Sequence, residues 1–383
     1  MRSSHWKYVV PGLMMAAASM AYADAPAPKW YDTIAMSGYL QGSYTGNFEA
    51  SPENKSSQGR QYDTNSNSFN FNTFLLQIAK PVGDSDHYGF TVRLRTGQDA
   101  SALSGAGQLF VQEAYATYAA TSKLSIIGGK FVTMEGFEGA DTVNNPNFSE
   151  GLLFFAAEPI THTGIKANYT FSDKVNATIG IVNGWDALSA NQGAPDINDS
   201  KTVIWQVATT PTKKITWSFQ GTYGDEQVTP SLSSADHSKR LSLDTVAGFN
   251  PTDKLSLNAQ LNWGEDTDLP NGTGGTMTTH WDGAGIWASY ATTSKFTEIA
   301  RFEVLGDQNN ADRFGAFVGT NPPTTTNQTV KEFTLTHKTM LTASLGTRIE
   351  YRHDWSNEAY FVRSDGSSVR NQNTISMDWF VTF

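Results

Sequence analysis

Strict alternation between apolar and polar residues is the feature that most limits the folds open to this chain. In LSLNAQLNW, residues 255–263, the odd positions hold leucine, alanine and tryptophan, and the even positions hold serine, asparagine and glutamine. The stretches 215–223 and 341–352 alternate in the same way. A period of two indicates β-strands with one apolar and one polar face. These stretches run about 9–12 residues, which is about the length that a tilted strand needs to cross a bilayer.

Two kinds of connection alternate between the strands. Seven are short, such as TSK at 121–123 and PTDK at 251–254, and eight are long, polar and rich in Gly, Asn and Asp. The long connections lie at about 48–67, 99–107, 132–158, 186–200, 226–238, 265–279, 307–328 and 355–371. We therefore predict an all-β fold, a transmembrane antiparallel up-and-down β-barrel of about 16 strands (to within about two), with short periplasmic turns and long extracellular loops. The barrel must close, because open edges in hydrocarbon leave backbone groups unpaired.

A soluble β-sandwich is the alternative explanation of the alternation. Its strands are typically about 5–6 residues long, and its connections cross between two sheets. Here aromatic residues gather near strand ends, among them Trp217, Tyr223, Phe249, Trp263 and Tyr290. Rings at both edges of an apolar band are typical of membrane interfaces, so the sequence favours the membrane barrel.

The N-terminus has the pattern of a secretory signal. Arg2 and Lys7 precede the apolar stretch 9–21, and Ala21-Tyr22-Ala23 is an A-x-A cleavage site. We expect cleavage after Ala23, so that residues 1–23 are a signal peptide and residues 24–383 form the barrel; a short membrane anchor is the alternative. Removing the two basic residues changes the formal charge from −10 to −12, which argues against nucleic acid as a partner.

Charged residues lie on the polar faces of the predicted strands. In the stretch 341–352, Arg348, Glu350 and Arg352 stand opposite the apolar face. An Arg or Lys facing lipid near the midplane costs about 2–4 kcal/mol, so these side chains should face the interior. The same test gives the predicted pore-lining set: Arg93, Arg95, Glu113, Lys130, Lys166, Arg240, Asp244, Arg301, Glu303, Arg348, Glu350 and Arg352. Sixteen strands leave room for an aqueous channel, whereas in a narrower barrel the same charges would pair and fill the interior.

The connection 132–159 is a candidate constriction loop. It carries Glu135, Glu138, Asp141 and Glu150, with the apolar run LLFF at 152–155. If the loop folds into the barrel, its acids face a basic wall and set a transverse field across the channel. If it stays outside, the acids are solvated on an external loop that ends in a short helix. The apolar run favours the inward path, and both alternatives stay open.

A family resemblance is carried by the same region. The residues that carry the resemblance are Gly129-Lys130-Phe131, Glu138, Asn144, Asn147, Phe148, Ser149, Pro159, His162-Thr163-Gly164 and Asn183-Gly184-Trp185. This set resembles the OmpL-like family of bacterial β-barrel porins. The resemblance implies a porin-like barrel in the outer membrane of a Gram-negative bacterium and implies no particular substrate. The final stretch ISMDWFVTF, residues 375–383, is similar to the closing strand that such proteins present to the barrel-assembly machinery, and it ends at Phe383.

Together these features predict an outer-membrane porin, a water-filled channel for passive diffusion of small hydrophilic solutes or ions. A substrate-specific channel for anions or sugars and a closed structural or adhesive barrel are the alternatives. Arg93, Arg95, Arg348 and Arg352 mildly favour anions. The expected surroundings are outer-membrane lipid and lipopolysaccharide, and a homotrimer is an open alternative to a monomer.

An enzyme is not expected. The histidines lack the neighbours of a hydrolytic site, and the sequence has no metal-ligand spacing, phosphate loop or dinucleotide fingerprint. We therefore expect no enzymatic activity, no cofactor and no metal site.

Overall fold

The computed structural model describes residues 30–49, 56–83, 86–104, 109–185, 200–226, 238–270, 275–308 and 327–383. The predicted signal peptide, residues 1–23, lies outside these ranges. So do most of the predicted long loops at 186–200, 226–238 and 307–328.

Sixteen antiparallel strands form a closed barrel, which confirms the predicted fold. The barrel strands are β1 (Ala35–Asn47), β2 (Ser68–Lys80), β3 (Tyr88–Thr96), β4 (Leu109–Ala119), β5 (Leu124–Val132), β6 (Thr161–Thr170), β7 (Val175–Val182), β8 (Thr202–Thr212), β9 (Ile215–Glu226), β10 (Ser238–Phe249), β11 (Leu255–Pro270), β12 (Thr276–Ala291), β13 (Phe296–Gln308), β14 (Gln328–Met340), β15 (Leu345–Ser356) and β18 (Asn371–Thr382). Each strand pairs with the barrel strands before and after it in the sequence, so the topology is up-and-down. A small hairpin, β16 (Phe361–Val362) with β17 (Ser368–Val369), lies in the last long connection.

Helices occur only in the connections among the described residues. They are α1 (Gln98–Ser104) and α2 (Leu152–Ala156), with short 3-10 turns at Trp30–Thr33 and Thr142–Asn144. No helix in the described part of the chain is long and apolar enough to cross a membrane.

The barrel closes between its first and last strands. Leu40 on β1 lies opposite Val381 on β18. Gly38 and Phe383 also exchange two backbone hydrogen bonds, of 2.9 and 3.0 Å. The final stretch of the sequence is therefore the closing strand, and the sheet has no free edge.

The apolar face of each strand points outward. Leu261 and Ile349 are 60% and 52% exposed, whereas Asn262 and Arg348, one position away, are 3% and 0% exposed. On a closed transmembrane barrel, exposed apolar residues of this regularity form the surface that meets lipid. The polar set consequently faces the interior.

One predicted loop, 265–279, is shorter than expected. β11 and β12 continue to Pro270 and Thr276, and Glu265 lies opposite His280 in their ladder. Beyond the apolar band, strand pairing needs only the backbone, so the sequence loses its apolar–polar pattern before the hairpin ends.

Candidate functional site

The connection 133–160 between β5 and β6 lies inside the barrel. The Gly136 backbone N–H donates to Asp244 on β10 at 3.1 Å. Arg95 on β3 donates to Asp141 at 3.0 Å. Because β10 and β3 stand on opposite sides of the ring, a segment that touches both must cross the interior. We call residues 133–160 the inner loop.

Burial of apolar side chains explains why the inner loop folds inward. α2 contains the LLFF run, and Leu152, Leu153 and Phe155 pack with Trp281 and Trp287 from β12. Phe154 joins a second buried cluster with residues of the neighbouring loops and β4. Each buried Leu or Phe contributes about 1.5–3 kcal/mol relative to exposure, so an external position would forgo several such contributions.

Arg348 on β15 connects the wall to the inner loop. Its guanidinium forms an ion pair with Asp378 at 2.7 Å. The same guanidinium donates to the backbone oxygens of Thr142, Asn145 and Asn147 at 2.9, 3.0 and 2.7 Å. A planar guanidinium presents several donors in fixed directions, which suits it to hold a loop by its carbonyls.

Arg301 on β13 and Arg352 on β15 make similar connections. Arg301 binds Glu138 of the inner loop at 2.7 Å and Glu332 of β14 at 2.9 Å. Arg352 binds Asp354 at 2.7 Å and donates to the Glu150 backbone oxygen at 2.5 Å. Both arginine side chains are fully buried.

Wall carboxylates accept hydrogen bonds from the backbone of the inner loop. Glu350 accepts from the Phe148 and Ser149 N–H groups at 2.7 and 3.0 Å. Glu303 accepts from the Leu152 N–H. The inner loop is thus held by donors and acceptors of both charge signs, from strands that are more than 150 residues away in sequence.

Asp141 sits between two arginines of β3. It forms ion pairs with Arg93 and, at 3.0 Å, with Arg95, and it accepts from Gln112 at 3.1 Å. Burial alone would raise the pKa of Asp141, but the two arginines outweigh burial and lower it. Arg93 also pairs with Glu113 at 3.0 Å.

Three carboxylates, Glu135, Glu158 and Asp244, form what we call the acidic cluster, where the inner loop meets β10 and β11. Asp244 accepts from Gln260 at 2.7 Å, and Glu158 accepts from the same amide nitrogen at 2.5 Å. Burial, reinforced by the nearby charge of Asp244, raises the pKa of Glu135 to about 8 and raises that of Glu158 well above its ordinary value. Within the described residues, no three His, Asp or Glu side chains are placed to hold a metal ion.

Three further residues of the predicted set lie apart from the inner-loop contacts described above. The Lys166 amine on β6 is 4.1 Å from the centre of the Phe131 ring, and no carboxylate of the described chain is within ion-pair distance of it. Lys130 on β5 lies across from Ala114 and Thr163 in the ladder, with its amine 4.2 Å from the centre of the Phe110 ring. Arg240 on β10 binds Asp266 at 2.7 Å.

The predicted set of interior residues omits part of this network. Arg60, in the first long loop, binds Asp354 at 2.7 Å and Asp63 at 3.3 Å inside the barrel. No alternation marks a loop residue, so nothing in the sequence indicated Arg60. Glu332 and Asp378 could have been found, because the alternation that places Arg348 on the polar face of its strand also places both of these residues on polar faces.

Comparison with known proteins agrees with this architecture. The family model described as "Putative beta-barrel porin-2, OmpL-like" matches residues 33–383. No curated protein sequence matches the chain.

Several solved outer-membrane structures share the fold. An anion-selective porin from Comamonas acidovorans aligns with a TM-score of 0.62 at 11% identity, covering 91% of this chain and 99% of that one. The trimer form of OmpT from Vibrio cholerae aligns at 0.60 and 11% identity, covering 92% and 99%. The outer-membrane channel DcaP of Acinetobacter baumannii aligns at 0.58 and 10% identity, covering 91% and 97%.

Proposed function

Because this chain belongs to the OmpL-like family of β-barrel porins, and is therefore a porin of the Gram-negative outer membrane, we propose that small hydrophilic solutes and ions diffuse between its inner loop and its barrel wall. The observation that carries this proposal is the inner loop itself, which crosses a closed sixteen-stranded barrel and narrows the interior. The family and the fold point to a channel rather than to an enzyme, and we propose that the chain has no enzymatic activity.

We propose two different roles for members of the predicted pore-lining set, with Asp141 of the predicted constriction loop sharing the first role. Arg93, Glu113 and Asp141 keep 15%, 8% and 12% of their side-chain surface exposed, and Lys166 is partly exposed. These four would line the path. The arginines at 95, 301, 348 and 352 have no exposed side-chain surface and would instead anchor the inner loop.

Ion preference should be weak and set by few residues. All six arginines of the predicted pore-lining set are in ion pairs with carboxylates, so their charges are largely compensated. Lys166 is a partly exposed cation of that set with no carboxylate of the described chain within ion-pair distance. This observation favours a modest anion preference as a second candidate function.

We also propose how the chain is exported, assembled and surrounded in the outer membrane. Residues 1–23 would be removed after Ala23 during export, and the closing strand that ends at Phe383 would be recognised by the barrel-assembly machinery. The outer face would contact outer-membrane lipid and lipopolysaccharide. The outer-membrane protein OmpT, which has a similar fold, is described in a trimer form, and we propose a homotrimer for this chain as well.

Planar-bilayer recording of the purified, refolded chain tests the channel directly. We expect discrete conductance steps in symmetric potassium chloride, and swelling of proteoliposomes in small sugars. A heat-denatured sample at the same detergent concentration is the control. Silent bilayers, with barrel folding verified by the heat-modifiable gel mobility of the same sample, would contradict the proposal and favour the closed structural barrel.

A further inference from the structure

Five consecutive short turns place one lysine each at the periplasmic end of the barrel. They are Lys123 after β4, Lys174 after β6, Lys214 after β8, Lys254 after β10 and Lys295 after β12. All five side chains are exposed. We call this set the lysine arc.

The five turns share one local geometry. A Ser or Thr hydroxyl two positions before the lysine accepts a hydrogen bond from the lysine backbone N–H. The lengths are 3.1 Å at Thr121, 3.2 Å at Ser172, 3.2 Å at Thr212, 3.3 Å at Thr252 and 3.1 Å at Thr293. This side-chain turn fixes the backbone, so each lysine leaves its turn from the same position.

The other two short turns lack an exposed lysine. Between β14 and β15 the same geometry recurs, with the Ser344 N–H bonded to Thr342 at 3.2 Å, but serine stands where the lysine would be. Between β2 and β3, Lys80 is buried and paired with Asp86 at 2.6 Å. The lysines therefore cover a continuous arc from β4 to β13, and the turn geometry alone does not demand them.

The charge of the arc contrasts with the rest of the chain. Its turns hold six lysines, counting Lys213, and two aspartates, Asp173 and Asp253. The chain as a whole has a formal charge of −10. The Lys214 amine donates to the Pro251 carbonyl oxygen at 2.9 Å. This acceptor is neutral, so the positive charge of Lys214 is not compensated by it.

The arc lies at the level of lipid headgroups. Exposed aromatic side chains occur on the outer face just before or after these turns, among them Tyr169, Trp217, Phe249, Tyr290 and Phe296. Such rings mark the boundary between hydrocarbon and headgroups. Lysines one to a few residues beyond them reach the phosphate layer, where anionic lipids attract clustered basic side chains.

We propose that the lysine arc binds the phosphate groups of anionic glycerophospholipids in the periplasmic leaflet. The spacing of one cation per hairpin around one side of the barrel suits a row of separate headgroups, because each lysine can contact a different lipid. The interaction would enrich anionic lipid beside the arc. It concerns the outer rim, so it is independent of conduction through the interior.

Native mass spectrometry of the folded full-length barrel tests the proposal. Protein is released from micelles that contain equal amounts of phosphatidylglycerol and phosphatidylethanolamine, and the retained lipids are counted. We expect a preference for phosphatidylglycerol that decreases at least about threefold in a variant with all five arc lysines changed to Gln, because such contacts are electrostatic. The preference should also weaken at higher salt.

Two controls make the result specific. Changing the same five lysines to Arg keeps the charge and should keep the preference. Changing Lys201 and Lys239, exposed lysines near the opposite rim, to Gln should leave the preference for phosphatidylglycerol unchanged.

Equal retention of both lipids by the unmodified chain, or a five-lysine Gln variant that retains phosphatidylglycerol fully, would overturn the proposal. So would a Gln variant that loses only co-sedimentation with isolated peptidoglycan, which would assign the arc to the cell wall.

Discussion

The single interior residue Arg348 links the barrel wall to the inner loop. It neutralises Asp378 and donates to three backbone oxygens of the inner loop. Alternation in the sequence was enough to predict that Arg348 faces inward, because strand parity is a local property. Its carbonyl partners could not be predicted, because they lie about 200 residues away along the chain.

Replacing Arg348 with Gln should release the inner loop. The change leaves Asp378 buried without its cation, and removing one partner of a buried ion pair typically costs about 3–5 kcal/mol. We expect larger and noisier single-channel conductance and a lower unfolding temperature in detergent. Arg363→Gln, at an exposed arginine in the turn of the β16–β17 hairpin, is the control and should match the unmodified chain. Quiet, unchanged channels in Arg348→Gln would show that the loop is held by other contacts.

The acidic cluster should make the attachment of the inner loop depend on pH. Burial raises the pKa of Glu135 from its ordinary value of 4.5 to about 8, so the docked loop holds a proton that an exposed glutamate would release. The contribution of Glu135 to docking is therefore largest below about pH 4.5 and is lost as the pH rises to about 8. We expect conductance fluctuations to increase over that interval.

Glu135→Gln removes the titrating group and keeps a side chain that can hydrogen-bond Ser242, which lies 2.7 Å from the carboxylate. We expect the pH dependence between about 4.5 and 8 to flatten in this variant. Single-channel recordings in steps across that interval measure it, with Glu358→Gln in the last long loop as the control. A variant whose pH profile matches that of the unmodified chain would rule out Glu135 as the source.

At the scale of elements, the strands and six of the seven short turns could be predicted, and the path of the long connections could not. The turn expected from HKTM at 337–340 was wrong, because these residues end β14 and the turn lies at 341–344. The alternation of residues within a strand identifies its apolar and polar faces. A Ser or Thr followed two residues later by lysine identifies a turn from the local sequence. The inner loop left two alternatives open, because its position depends on contacts with β3, β10, β13 and β15. The apolar run at 152–155 was the one local signal, and it did favour burial.

A cysteine pair can test the position of the inner loop, since the chain has no cysteine of its own. The Asn147 side chain donates to the Thr336 hydroxyl on β14 at 2.7 Å. We expect Asn147→Cys with Thr336→Cys to form a disulfide under mild oxidation, because the direct hydrogen bond between the two side chains shows that the two positions are neighbours in the docked loop. The gel mobility of the unreduced barrel reports the bond. The control pairs Asn147→Cys with Thr222→Cys on β9, across the barrel, and equal cross-linking in both pairs would argue against the docked loop.

At the scale of the whole molecule, the barrel separates two environments with different electrostatic roles. The outer face is apolar between its aromatic rims, and the interior concentrates arginines and carboxylates that mostly pair with each other. Strand parity predicted which charges face inward but not how completely they are compensated, because compensation depends on which acids the loops bring to the wall. An arginine count taken from the sequence therefore overstates the positive charge that a passing ion meets.

Lys166 should make a measurable contribution to the ion selectivity of the channel. It is partly exposed on β6 and has no carboxylate of the described chain within ion-pair distance, unlike the arginines of the predicted set. A unit charge about 4 Å from a passing ion contributes up to about 1 kcal/mol under water-like screening, which corresponds to a factor of about two to five in permeability. We expect Lys166→Gln to lower the anion-to-cation permeability ratio by about that factor, read from the reversal potential in a potassium chloride gradient. Lys201→Gln, near the outer rim, should leave the reversal potential in place. If both variants match the unmodified chain, the selectivity must come from the paired charges of the wall.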